Sequence, residues 1–201
     1  MPIRINGTDR PSQTAEKSSF THGSRYIASA KNIYEPQRTS DFEFVVTGLE
    51  DLVGLDGNVI NNAQEVIRLA VKTGFVPHFS QSVIEIRRGN GNTRFAGQPT
   101  FDAGSITVQD WIGADTKKIL MAWQNLSYNV YTEKVGIADD YKKNAYLIEY
   151  SPDMQVVNRW LLVGCWISSI SEDTRDHESS GVNTITATIQ YDWAELDTTE
   201  Q

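Results

Sequence analysis

Gly104-Ser-Ile-Thr-Val-Gln-Asp110, the short link Trp111-Ile-Gly113 and the run that follows to Val130 decide the fold. Ile106 and Val108 alternate with Thr107 and Gln109, the two-residue period of a strand with one buried face. Beyond Gly113 the period changes. Ile119, Ala122, Trp123, Leu126 and Val130 recur at helical spacing, and Asp115 stands where an N-cap carboxylate accepts the first free backbone N–H groups. A helix is therefore expected over about residues 115–130. The rest of the chain is dense in β signals, so one apolar-faced helix is expected to lie across a sheet and close its core.

The clearest alternation comes near the end. Ile185, Ala187, Ile189, Tyr191 and Trp193 fall on one side, and Thr184, Thr186, Thr188, Gln190 and Asp192 on the other. A Thr-rich polar side without a single base is expected to meet water along its length. Upstream, Phe42, Phe44 and Val46 mark a first strand ended by Gly48, and Leu49 to Asn62 is turn-rich with a reversal at Asp56-Gly57. Glu65 to Lys72 fits either a helix or a strand, because periodicity cannot settle so short a run. Val83 to Arg87 reads as a strand and Arg88 to Asn92 as a tight turn, with Asn90-Gly91 as the hairpin signal. Thr132 to Asn144 reads as a long polar loop, Ala145 to Tyr150 as a strand, and Val156 to Ile170 as an apolar run broken at Gly164. Ser171 to Gly181 is a charged loop.

Composition narrows the functions. The 201 residues hold 39% apolar and 22% charged side chains, a globular balance, and 26 acids against 18 bases give a net charge of −8. That argues against a protein that grips phosphate backbones with clustered Lys and Arg. A single cysteine, Cys165, makes an internal disulfide impossible, and its setting in Leu161-Leu-Val-Gly-Cys-Trp-Ile167 makes it an inert packing thiol. There is no apolar run long enough for a bilayer, and Met1 to Asn6 has no signal-peptide core, so the chain is expected to be made and kept in a cytoplasm. Without secretion, the glycosylation patterns at Asn6 and Asn125 carry no meaning.

Catalytic patterns are not found. His22, His78 and His177 fall in no nucleophile–base arrangement. Asp173, Asp176, His177 and Glu178 read as a solvated loop rather than a metal site, and Gly89 to Gly91 has no following Gly-Lys-Ser/Thr to make a phosphate loop. The five tryptophans, Trp111, Trp123, Trp160, Trp166 and Trp193, sit at or beside apolar faces, which favours packing over a sugar platform. Neither cofactor nor metal is expected, and no enzymatic activity. Lys117 and Lys118 occupy the first turn of the helix, where positive charge opposes the dipole; they read first as two solvated lysines, and otherwise as partners for acids on a neighbouring subunit.

Four segments in order carry a resemblance. Arg94-Phe-Ala-Gly-Gln-Pro-Thr-Phe-Asp102 with the following strand, Asp110 and Trp123-Gln124 is the first; Asp140-Tyr-Lys-Lys-Asn-Ala145, Leu162-Val-Gly-Cys-Trp166 and Thr186-Ala-Thr-Ile-Gln-Tyr-Asp-Trp193 follow. Together, over about Asp41 to Trp193, the chain resembles the tail tube proteins of T4-type contractile bacteriophages. The resemblance implies a mainly β fold, a β-sandwich or small β-barrel of the Hcp-like tail-tube type with one α-helix packed on it. It places a strand over Glu65 to Lys72. The resemblance implies a barrel domain at 41–193; outside it, residues 1–40 read either as a disordered terminus or as an extended arm that orders on assembly, with apolar anchors such as Phe20, Tyr26 and Tyr34, and 194–201 as an acidic tail.

The implied function is a structural virion protein, assembled in the host cytoplasm. Hexameric rings of it stack into the inner tube of a contractile tail, and the genome leaves through that tube. Implied partners are further copies of the chain, a tail sheath protein, a tape-measure protein in the lumen, and baseplate and tail-terminator proteins; DNA passes without being bound, and no membrane is involved. Thr184, Thr186, Thr188, Gln190 and Asp192 are expected to face the lumen or a subunit edge. Lys117, Lys118, Asp139, Asp140, Lys142 and Lys143 are candidate contacts between subunits, and the long loops candidate contacts between rings. Two other classes fit the same sequence: a tube or baseplate tube-initiator of a type VI or other contractile injection system, and a β-sandwich carbohydrate-binding module.

Overall fold

The computed structural model describes residues 36–197 apart from Asp56, Asp176 and Ser179. The expectations for the arm over 1–35, for the reversal at Asp56 and for the last residues of the tail lie outside the described residues. Residues from Thr39 onward form a unit of their own.

That unit is mainly β. A seven-stranded sheet runs in the order β1 (Phe42–Thr47), β8 (Lys143–Tyr150), β9 (Val156–Glu172), β10 (Thr184–Gln190), β5 (Gly104–Gln109) and β2 (Val71–Thr73), with β11 (Trp193–Leu196) also on β9. All pairings are antiparallel. The expected break at Gly164 is a bend rather than an end. β9 continues through it for 17 residues, pairing its first part with β8 and β11 and its last part with β10. Gly164 has φ +71°, a conformation that costs a residue with a Cβ, and it lets one strand serve both halves of the curled sheet.

Inside the curl lie Phe44, Val46, Ile106, Val108, Leu147, Leu162, Ile167, Ile185, Ala187 and Ile189, all buried. They come from alternate strand positions, as the sequence pattern requires. Two helices close the core: α1 (Ala63–Ala70) against β1, and α2 (Thr116–Ser127) against β9. Ile119, Leu120 and Trp123 of α2 are buried, and the Trp123 indole N–H donates to the Tyr141 carbonyl at 3.1 Å. Truncating such a side chain to Ala costs about 3–5 kcal/mol.

The structure corrects several expectations. The segment 65–72 is not a strand: Ala63, Ile67 and Ala70 are buried at helical spacing, the Glu65–Arg68 pair faces outward, and only Val71–Thr73 is extended. The helix therefore has company, and α2 stops at Ser127, leaving Val130 exposed. Asp115 does not cap α2 through its side chain; its backbone is left-handed at φ 51°, and its carboxylate meets Lys118 Nζ at 3.0 Å instead. The polar loop at 132–144 contains β7 (Lys134–Val135), which pairs back with β6 (Tyr128–Asn129) just before the loop, and one turn of helix, α3 (Ala138–Tyr141). The tail's start, Ala194 to Leu196, is held in β11 rather than loose.

Candidate functional site

Register turns a one-strand signal into a surface. Thr184, Thr186 and Thr188 of β10 stand opposite Gln109, Thr107 and Ser105 of β5, and on the other side Thr186 and Thr188 stand opposite Ser171 and Ser169 of β9. Residues directly opposite share a face. With Gln190 they form a continuous layer of hydroxyls and amides, half-buried to exposed, with Thr107 Oγ1 and Thr186 Oγ1 3.4 Å apart, and at its edge the Thr184 hydroxyl donates to the Asp173 carboxylate. The apolar side chains of the same strands supply the core beneath. Neutral groups of this kind offer phosphate neither a salt bridge nor strong repulsion.

Asp192 does not belong to this layer. β10 ends at Gln190, the chain turns a corner, and Asp192 takes the Lys142 ammonium at 2.8 and 2.7 Å. That contact raises the Lys142 pKa. Trp193 likewise leaves the apolar side of β10 and is 41% exposed on β11. Lys117 pairs with Glu172 of its own chain, and this hydrogen bond holds the Glu172 carboxyl below the usual carboxylate range. Lys143 sits half-buried at the start of β8, and Asp139 and Asp140 are exposed on α3. Three of the four lysines among the candidate contact residues have acceptors within the chain: Lys117 on Glu172, Lys118 on Asp115, Lys142 on Asp192.

Sequence reading missed the face of a long hairpin. Among the described residues, β3 (Phe79–Arg88) and β4 (Gly91–Phe101) pair only with each other. The connecting residues are Gly89-Asn90, one position before the expected Asn90-Gly91, with the positive φ of 61° on Gly89. Ile84 faces Phe95 and Ile86 faces Thr93 on one side; on the other, Glu85 faces Arg94, whose Nε lies 2.8 Å from the carboxylate. Ile84, Ile86 and Phe95 are 52%, 44% and 51% exposed. The hairpin's base is fastened to the core by a chain of rings, Phe79 to Phe101 to Tyr191 to Phe75 to Phe44, at centroid distances of 5.6–6.0 Å. Among the described residues its far end has no such ring contacts.

Burial pushes the Cys165 thiol up to about 12, so it is not a thiolate at neutral pH. Among the described residues no three His, Cys, Asp or Glu side chains come together to hold a metal, and no helix is long and apolar enough to cross a membrane.

The fold matches that of tube-associated proteins from contractile injection systems. A chain of the tube-terminating cap of the anti-feeding prophage aligns with a TM-score of 0.60 at 16% identity, over 85% of this chain and 97% of that one. A chain of the extended sheath–tube complex of the extracellular contractile injection system PVC aligns with a TM-score of 0.56 at 16% identity, over 87% and 96%. In sequence, the tail tube protein gp19 of Enterobacteria phage T4 is 27% identical over 109 residues, 53% of this chain and 67% of its own length. No protein-family model matches the sequence. The fold and the likeness in sequence together support a tail-tube protein.

Proposed function

We propose that the chain is a structural tube subunit of a contractile tail, with no catalytic role, built to associate with copies of itself around a channel. The observation that carries this reading is the hairpin β3–β4. A two-stranded hairpin alone is marginal in water. One whose single apolar face is Ile84, Ile86 and Phe95 gains its stability when another surface covers that face. Its charge differs from that of the body as well: three arginines against one glutamate, in a chain where acids outnumber bases 26 to 18. A cationic, half-apolar arm on an acidic subunit suits docking on the next copy.

In this reading rings of the subunit, six to a ring as in the resembling family, stack into a tube. The neutral layer on β5, β9 and β10 lines the passage, so that DNA moves through without adhering. Sheath, terminator, baseplate and tape-measure proteins are the expected neighbours, and the assembled tail the expected location. Ile84→Asp with Phe95→Asp tests the reading, because both side chains are already exposed and the monomer should keep its fold by circular dichroism. The variant should fail to form the wild-type particle in sedimentation; normal assembly would contradict the hairpin's role.

A further inference from the structure

The hairpin β3–β4 is not one straight ribbon. Gln81 stands opposite Pro99 and Val83 opposite Ala96, so Ser82 alone faces the two residues Gly97 and Gln98. That is a β-bulge, and the extra residue bends its strand and sharpens the local twist. The residues at the joint suit it. A Cβ on Gly97 would lie 2.7 Å from the Ser82 carbonyl oxygen and would collide with the Ser82 hydroxyl, so the strands come this close only through a glycine. The Ser82 hydroxyl lies 3.5 Å from the Gln98 carbonyl oxygen, and Pro99, with no N–H to add to a ladder, follows directly.

The joint divides the hairpin into two parts with different tasks. Below it, Phe79 and Phe101 pack on each other and, through Tyr191, on the core. Above it stand Ile84, Ile86 and Phe95, all exposed. Alternation along β3 puts Phe79, Gln81, Val83 and Glu85 on one side of the ribbon and Ser82, Ile84 and Ile86 on the other. The apolar trio therefore lies on the side opposite the rings that grip the body. Alternation chooses the side, and the bend at Gly97 sets the angle at which that side is offered. A straight ribbon would present the same side chains in another direction, and a contact face displaced by about an ångström already loses its fit.

We propose that Gly97 and its bulge are the positioning element that aims the face of Ile84, Ile86 and Phe95 at the next copy. The inference rests on the tube-subunit reading and names what orients its docking arm. Three variants of the full chain test it. Deletion of Gln98 restores one-to-one pairing and straightens the ribbon, Gly97→Ala keeps the residue count but forces the strands apart, and Gln98→Ala leaves the joint as it is. The first two should keep the wild-type circular dichroism and raise the concentration needed for assembly by about tenfold or more, while Gln98→Ala assembles normally. Either of the first two suffices if the other does not fold. The aim itself is read from nitroxide labels at Asn90→Cys and Val157→Cys, both exposed positions, with the buried Cys165 left unlabelled. Below the assembly concentration, the distance between labels should shift in the first two variants and stay in the third. Wild-type assembly of a folded deletion or Gly97→Ala variant, an unmoved distance in them, or lost assembly in Gln98→Ala would overturn the joint's role and leave the tube reading standing. Wild-type assembly of Ile84→Asp with Phe95→Asp would overturn both.

Discussion

Lys142 Nζ holds both carboxylate oxygens of Asp192, at 2.8 and 2.7 Å, across the bend where Gly164 adopts φ +71°. A Cβ placed on Gly164 would collide with that carboxylate. The bend therefore depends on two things at once, a left-handed backbone and the room left for the ion pair.

Gly164→Ala should destabilise the fold by about 1–3 kcal/mol from backbone strain, with a further cost from the collision. In an Asp192→Ala background the second part is absent, so the loss should be smaller there. Urea unfolding of the four proteins of this cycle measures the coupling. Strictly additive losses would show that the carboxylate does not crowd the bend.

Lys117 and Glu172 give a pH prediction. The hydrogen bond from Lys117 holds the folded-state pKa of Glu172 below its ordinary value of 4.5. A depressed carboxylate pKa contributes stability above the unfolded-state value and loses it as pH falls through the folded-state value. Lys117→Ala should therefore lower the melting temperature at pH 7, and the gap from wild type should close as acid protonates Glu172. Both groups are partly solvated, so the effect is on the order of 1 kcal/mol or less. A gap that is constant from pH 7 down to pH 3 would contradict the assignment.

What the sequence made legible follows from what each residue's neighbours reveal without the fold. Ile106 with Val108 and Ile185 with Ile189 mark their strands because burial on one face imposes a period of two on the chain itself. Ala63, Ile67 and Ala70 did not mark α1, since eight residues hold too few turns to outvote the strand preference of Val66 and Val71. The alternation of β10 was carried too far, through Tyr191 into Asp192 and Trp193, because a corner between two strands leaves no trace in the period. Ser105, Thr107, Gln109, Ser169 and Ser171 look unremarkable in their own strands; only register lays them beside Thr186 and Thr188. The apolar face of the hairpin was readable as strand, yet its exposure depends on which described element packs against it, which local sequence cannot state.

The neutral layer makes the next prediction. Thr186→Lys with Thr188→Lys places two cations where the wall has none, and phosphate would bind them with the salt dependence of an electrostatic contact. Both positions project from the core, so folding and tube assembly should be retained. Tails built from the double variant should deliver their DNA slowly or not at all. Unchanged delivery would remove β10 from the channel wall.

The account stands most directly on the self-association of the unaltered chain. Electron microscopy of the purified protein, imaged across a concentration series, should show rings or stacked tubes with an open centre, in step with a sedimentation coefficient that rises with concentration. A single sedimenting species of monomer mass at every concentration, with no rings in the images, would contradict it.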